Sequence, residues 1–516
     1  MAKIEENKLV VILLVLAAAV YSAFFFAKPI NLTTADLGRH IANGELVVNG
    51  LTDVLYRNFY SFTEPDYQFT NHHWGSGVAF YYLHQWFGFK GLSVWYVLMN
   101  LFALALMVKT SAKNGAYSVP ILAMLAVVSL VAYRVEVRPE GFSYVLIAAY
   151  YLLFSQLKQE HSKGKILIPI LLILQIIWVN LHIFFFLGIL VAGVFLIDSL
   201  FNQKTRVKTN LLIILGLVVV SLINPHFHKG LLAPLTIFTE YGYMVAENQS
   251  IVFMHERFGN PELYHFELFG LLALALVVIV FVKGFWKENL SEILLLVSFG
   301  ILAAAAVRAI PLFALFFIPL TTIVANHYMI GFNFKTRQSL SKILPIIGIG
   351  ICLMFTGLKG TYASARKGYQ NIGLIQGING CGEFLKKQEV PGPVFNNYDI
   401  GSYLIYHLHD RQKVFVDNRP EAYSVAFFDS IYKPMQENDD IWKVNSLEYG
   451  INTICFFRHD NTPWAQPFLI RRTQDPDWVP IYVDQATLVL IRNKESNRKW
   501  IQRFGIDRSV FRSVPN

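Results

Sequence analysis

The residues with chemistry to offer gather in one stretch, Asp36 to Trp74, which reads DLGRHIANGELVVNGLTDVLYRNFYSFTEPDYQFTNHHW. It sets Asp36, Arg39, His40, Asp53, Arg57, His72 and His73 among aromatics, just after an apolar amino-terminal run. Ionisable groups at a membrane are costly to desolvate and sit where protons, ions or charged ligands are handled. A carboxylate at Asp36 can take a proton from an acceptor hydroxyl or hold a divalent cation such as magnesium or manganese. The competing reading is that Asp36 caps a helix starting at Leu37. Neighbouring histidines on an extended segment point apart, so His72 and His73 are not expected to close a zinc site. The sequence has no Walker loop, dinucleotide fingerprint or HExxH pattern.

The rest of the chain explains what carries that stretch. Of 516 residues, 54% are hydrophobic and only 15% charged. With a mean hydropathy of +0.43, this excludes an ordinary soluble protein. Apolar runs long enough to cross about 30 Å of hydrocarbon recur along it. The first, Leu9–Ala27, is expected to stay as a membrane anchor rather than be cleaved as a signal peptide. Further spans are expected near Gly91–Val108, Ala116–Tyr133, Gly141–Leu157, Ile166–Val179, Ile183–Leu200 and Leu211–Ile223. Four more follow near Leu268–Val282, Ile293–Val307, Ile310–Ala325 and Ile343–Leu358. The expectation is therefore a polytopic α-helical membrane protein with about eleven transmembrane helices. One long apolar stretch, Ile166 to Leu200, must turn back at His182 to fit that count.

Charge assigns the sides. With Lys3, Lys8 and the amino terminus in the cytoplasm, the inner connections hold Lys109 and Lys113, then Lys158, Lys163 and Lys165, then Lys204, Arg206 and Lys208. The remaining two hold Lys283 with Lys287, and Lys335, Arg337 and Lys342. All are basic, as the positive-inside bias requires. The net charge of +9 is accounted for by these clusters, so nucleic acid is not an expected partner. An odd number of spans puts the tail from about Gly360 to Asn516 outside. There, strands expected at Pro393–Asn397, Lys413–Val416, Asn452–Phe457, Pro480–Val483 and Thr487–Ile491 alternate with amphipathic stretches at Gly377–Lys387 and Val425–Gln436. Residues 1–358 thus form a transmembrane domain with a first outer loop at 28–75, and residues 359–516 an extracytoplasmic α/β domain. A Cys381–Cys455 disulfide is open to that domain if it lies outside the cell.

The same topology collects polar residues at the outer ends of the spans: Arg134, Glu136, Arg138 and Glu140, then Asn180 and His182, then Asn224-Pro225-His226, then Arg308. Arg134 and Arg138 could snorkel to headgroups, pair with Glu136 and Glu140, or touch a ligand. Asn180 and His182 could cap helix ends, and Asn224-Pro225 terminates a helix. Arg308 has no acidic neighbour in sequence, and an arginine without one needs an anionic partner. A phosphate suits its planar donor fork.

Taken together, Asp36-Leu-Gly38-x-His40-Ile-x-x-Gly44, Tyr60-Ser-Phe-Thr63-x-Pro65, His73-Trp74, Arg138-Pro139, Trp178-x-Asn180-Leu-His182, Asn224-Pro225 and Arg308 resemble the bacterial GT-C-type membrane glycosyltransferase-like family. In the outer domain, Phe395-Asn-Asn-Tyr398-Asp399-Ile-Gly401-Ser-Tyr403 and Val414-Phe-Val-Asp417-Asn-Arg419 resemble it as well, so nearly the whole chain is covered. Tyr398-Asp399-x-Gly401 is faintly similar to the acceptor motif of oligosaccharyltransferase catalytic subunits, without that motif's tryptophan pair. The resemblance implies a GT-C-like fold, a polyprenyl-phosphate-sugar donor and inverting transfer on the outer leaflet of the bacterial plasma (inner) membrane, with the outer domain periplasmic. It implies Asp36 as the catalytic carboxylate, Arg308, Arg138 or Arg134 on the donor phosphate, and His40, His73, Asn180 and His182 as substrate contacts. Many relatives pair two acids in the first loop. Here Ala35 and Leu37 flank Asp36, so only folding could supply a second acid, for instance Asp53. The rival expectation is a catalytically inactive GT-C-like scaffold, a subunit of an envelope secretion or polysaccharide-assembly complex. A transporter is the weaker third reading, because the spans lack acids at mid-depth and show no internal repeat.

Overall fold

The computed structural model describes residues 6–112, 116–134, 136–236, 242–259, 262–365 and 372–511, so the expectations at Lys3 and Lys113 lie outside the described residues. The chain folds as two compact units.

The first unit is helical and takes in Met1–Lys28, Ser93–Phe227 and Val245–Asn371. All eleven expected spans lie on its helices: Lys8–Phe26, the second part of Trp74–Ser111, Ser118–Val131, Glu140–Gln159, Gly164–Leu181, Phe186–Asn202, Val207–Val220, Glu262–Val282, Leu290–Ala305, Ile310–Gly331 and Phe334–Ala365. Seven segments among the described residues are long and apolar enough to cross a membrane by length and composition. The turn expected at His182 is there. Gly164–Leu181 stops, His182 is extended (φ −157°, ψ 144°), and a short 3-10 turn leads into Phe186–Asn202. Trp74–Ser111 runs 38 residues, nearly twice what a bilayer needs, and breaks at Gly88 (φ 61°).

Composition alone does not say which apolar helix faces lipid. Leu263–Val282 and Val307–Gly331 are both predominantly apolar, yet 17% of the most apolar 18 residues of the first and 83% of those of the second are buried. Ile310–Gly331 is the core element, packed by Ser118–Val131 and Leu290–Ala305. Phe299 stacks on Phe316 at 4.7 Å, and Tyr151 meets the same ring edge-on. A helix that is hydrophobic all round has either protein or lipid as its surroundings.

The second unit joins the carboxy-terminal domain to two segments from earlier in the chain, Pro29–Leu92 and His228–Met244. The first loop therefore packs with the carboxy-terminal domain, whereas the sequence assigned it to the transmembrane domain. Its sheet has β1 (Val394–Asn396), β2 (Thr453–Phe457), β3 (Trp478–Val483) and β4 (Thr487–Arg492) in the order β1-β2-β4-β3. β1 and β2 are parallel, and the other pairs antiparallel. The strand expected at Lys413–Val416 is not formed. Val414 makes only isolated bridges, to Val394 and to Ser61, because the first loop takes the place a ladder partner would fill. The helix expected from Gly377 begins at Gly380, and Val425–Gln436 folds as short α, π and α turns. Phe395, Tyr432, Trp442, Phe468 and Trp478 fill the core beside the sheet. Cys381 and Cys455, between which the sequence left a disulfide open, are both buried, with their sulfurs 3.1 Å apart.

Two glycines of the first-loop motif are explained by close packing in this unit. A Cβ at Gly44 would lie 2.1 Å from the Gly77 carbonyl oxygen, and one at Gly38 would lie 2.8 Å from that of Ser402. The Leu37–Val48 helix can seat against its neighbours only with hydrogens there.

Candidate functional site

In the helical unit, three guanidinium groups from two connections, Arg134 with Arg138 and Arg308, converge on two carboxylates. Arg308 Nη2 is 3.3 Å from Glu140 Oε1, and its Nη1 donates to Asn248 Oδ1 at 2.9 Å. Arg134 is paired with Glu247 and lies 3.4 Å from Glu140. Arg138 reaches Glu247 at 3.2 Å and also pairs with Glu136. The ion-pair reading of Arg134 and Arg138 is thus realised, mainly through Glu247, which lies far off in sequence. Arg308 is not the uncompensated charge that its sequence neighbours suggested. Folding supplies Glu140, Glu247 and Asn248 from distant segments, and its guanidinium also lies 5.0 Å from the Phe184 ring centre. Burial pushes the Glu247 carboxyl up, but Arg134, Arg138 and Arg308 outweigh it and hold the group at about 2.

Donor capacity remains in the cluster. Arg308 Nε is buried without an acceptor, and Arg134 Nη1 has an ion-pair neighbour but no hydrogen bond of good geometry. An anionic oxygen is the natural complement of such donors.

Asn180 and His182 serve the helix ends around this cluster. Asn180 donates to the carbonyls of Ile176 and Ile223, both at 2.8 Å. His182 Nδ1 lies 2.8 Å from Ser143 Oγ, which takes the Trp178 indole N–H at 2.8 Å, and the imidazole also caps Phe184 N. Asn224 terminates its helix by bonding the Ser221 and Phe227 carbonyls.

In the second unit, Asp36 occupies the position just before the Leu37–Val48 helix, half-buried, and its side chain makes no capping hydrogen bond. Its charge is felt at Tyr398 and Asp399. Burial first, then Asp460 and Asp36, push the Asp399 carboxyl up to about 7. Of the acids outside the first loop, Asp399 is thus one that feels the charge of Asp36. Asp53 is exposed and salt-bridged to Arg57. Asp460 is held by Asn397 Nδ2 at 2.9 Å and by Thr462 N.

His40 is buried, its ring edge-on to His73 at 5.5 Å and to Phe80 at 6.0 Å. His72 and His73 do not point apart. Their ring centres are 4.0 Å apart, because residues 71–73 turn into the next helix instead of running extended. Among the described residues, no group of three or more His, Cys, Asp or Glu side chains is placed to hold a metal ion.

The Asp417–Arg419 motif is structural. Arg419 grips Asp417 through Nε (2.7 Å) and Nη2 (2.6 Å), both residues fully buried, while Nη2 also reaches Asn58 in the first loop. Ser61 and Thr63 donate to the Phe415 carbonyl, and Glu64 accepts from Ser424. The Tyr60–Pro65 motif is the loop's docking segment.

Glu247, Asn248 and Asp460 were not singled out from sequence. Only the Glu-Asn pair after an apolar segment could have flagged the first two.

No protein-family model and no curated protein matches the chain. Among solved structures it is similar to the oligosaccharyltransferase AglB of Archaeoglobus fulgidus in complex with an inhibitory peptide and a dolichol-phosphate. The TM-score is 0.59 at 9% identity, over 95% of this chain and 75% of that one. A second structure, the A. fulgidus oligosaccharyltransferase tethered by a disulfide to an acceptor peptide with the NVT sequon, gives 0.59 at 10% identity, over 95% and 74%. A likeness at this identity is one of fold, and it extends over nearly the whole molecule. The chain is a polytopic α-helical membrane protein of GT-C-like fold with a carboxy-terminal α/β domain.

Proposed function

We propose that this protein is a membrane glycosyltransferase that moves a sugar from a polyprenyl-phosphate donor to an acceptor on the outer side of a bacterial plasma membrane. The basic helix connections face the cytoplasm in this reading, and the α/β domain faces the periplasm. The observation that carries it is the convergence of Arg134, Arg138 and Arg308, with Arg308 Nε left without an acceptor. Three guanidinium groups held in place by carboxylates are pre-organised donors for a lipid phosphate. In the transfer, the acceptor attacks the anomeric carbon, the bond to the phosphate oxygen breaks with inversion, and the phosphate leaves with its negative charge. Asp36 takes the proton that the acceptor loses. Asp399 keeps a second carboxyl close to neutrality nearby, while His40 and His73 are proposed to contact the substrates.

Native mass spectrometry of the detergent-purified protein with polyprenyl-phosphate sugars tests the reading. A retained lipid adduct that Arg308→Ala abolishes is expected, together with loss of transfer in Asp36→Asn. Transfer at the wild-type rate in Asp36→Asn would remove Asp36 as the base. The second reading, an inactive scaffold of an envelope complex, is favoured by the pairing of the arginines with Glu136, Glu140 and Glu247. Absence of any adduct would decide for it.

A further inference from the structure

The helical unit holds a polar cavity at the other ends of two helices that help build the arginine cluster. The cluster takes Glu140 and His182 from the start of Glu140–Gln159 and the end of Gly164–Leu181. The cavity, of about 370 Å³, lies where the first of these helices ends and the second begins, beside the start of Val207–Val220. A cavity of this size suits a small headgroup.

Three features give it a preference for anions. Three cations line it, Lys158, Lys165 and Arg206, against one carboxylate, Asp198. Asp198 is neutralised within the fold: Lys158 Nζ lies 3.0 Å from it and also donates to Ser291 Oγ and the Glu288 carbonyl. Arg206 spends one nitrogen on the Leu157 carbonyl, and Lys165 is exposed. Independently, two helices of 18 and 14 residues begin at the cavity, and neither has a side-chain cap on its first turn. Their amide groups carry the positive end of the helix dipole.

The surroundings indicate a lipid rather than a free ion. The two helices come close further along, where a Cβ at Gly216 would lie 3.0 Å from Leu172 Cδ2. Toward the cavity the same helices carry Ile166, Leu211 and Leu212 exposed at 47–66%. Phe154, Phe195 and Ile213 form an apolar floor. A polar recess with helix amides above, next to exposed aliphatic side chains, matches a phosphate with acyl chains attached. We propose that this cavity binds the phosphate headgroup of an anionic phospholipid, with its chains along the exposed faces of the Gly164–Leu181 and Val207–Val220 helices.

The test uses the full chain in neutral detergent, carrying Arg308→Ala so that the arginine cluster cannot account for an adduct. Native mass spectra are compared for phosphatidylglycerol, phosphatidylcholine and glycerol 3-phosphate. Phosphatidylglycerol is expected to be retained about 10-fold over phosphatidylcholine, with no retained glycerol 3-phosphate; tenfold is a modest charge effect of this kind. Thr209→Asp places a carboxylate in the cavity, in the first turn of its helix, where an acid favours the fold. It is expected to erase the preference without loss of thermal stability, whereas Lys283→Gln, in another basic connection, leaves it intact. Equal retention of both phospholipids, or an unchanged preference in Thr209→Asp, would overturn the proposal. Glycerol 3-phosphate held as firmly as the lipid would overturn the lipid assignment.

Discussion

Arg308 and Glu140 stand 168 positions apart in the chain and meet at 3.3 Å, the guanidinium 12% and the carboxylate 6% exposed. Removing one partner of a buried pair leaves the other charged and unsolvated, at a cost of about 3–5 kcal/mol. Glu140→Gln is therefore expected to lower the thermal unfolding temperature in detergent markedly. The double variant Glu140→Gln with Arg308→Gln should lose less than the sum of the two single changes. Strict additivity in that cycle would show that the pair is not coupled.

Asp399 makes the stability of the second unit depend on pH. Its folded carboxyl titrates at about 7, above its ordinary value of 3.8. The folded state therefore holds a proton that the unfolded chain has released, and stability is greatest below about pH 4 and declines as pH rises through 7. Asp399→Asn should flatten that decline and raise the unfolding temperature at pH 8, by at most a few kcal/mol. Asp36→Asn removes one of the charges that raise the carboxyl and should move the midpoint of the decline to lower pH. Tryptophan fluorescence melts across pH 4–8 would read both effects.

The buried Asp417–Arg419 pair should behave as an all-or-nothing unit. Arg419→Met leaves a buried carboxylate alone, and Asp417→Leu leaves a buried guanidinium alone, so each is expected to cost about 3–5 kcal/mol. The double change to Met and Leu should recover most of that loss. Limited proteolysis of the first loop is a direct readout, because Arg419 also holds Asn58.

Gly44→Ala should destabilise by about 1–3 kcal/mol or more, since its new Cβ would fall on the Gly77 carbonyl and backbone must move. Gly193→Ala is the comparison. It lies in the helix Phe186–Asn202 with nothing within 4 Å of the added carbon, and a stabilisation of up to about 1 kcal/mol is expected there. Equal losses in the two variants would contradict the close-approach account.

Hydropathy suffices to find the apolar helices among the described residues, because a membrane span must be apolar over a fixed length whatever it packs against. Four of the five strands were legible for a related reason. β2 and β4 are apolar runs buried along nearly their whole length. The motif glycines at 38 and 44 and the docking segment Tyr60–Pro65 were visible as patterns, but their purpose was not. Tertiary structure alone decided the partners. The carboxylates of Arg308 and the attachment of the first loop to the carboxy-terminal domain join residues from about sixty to several hundred positions apart. Coulomb forces and packing act through space, and no local pattern of residue types records which distant segments the fold brings together.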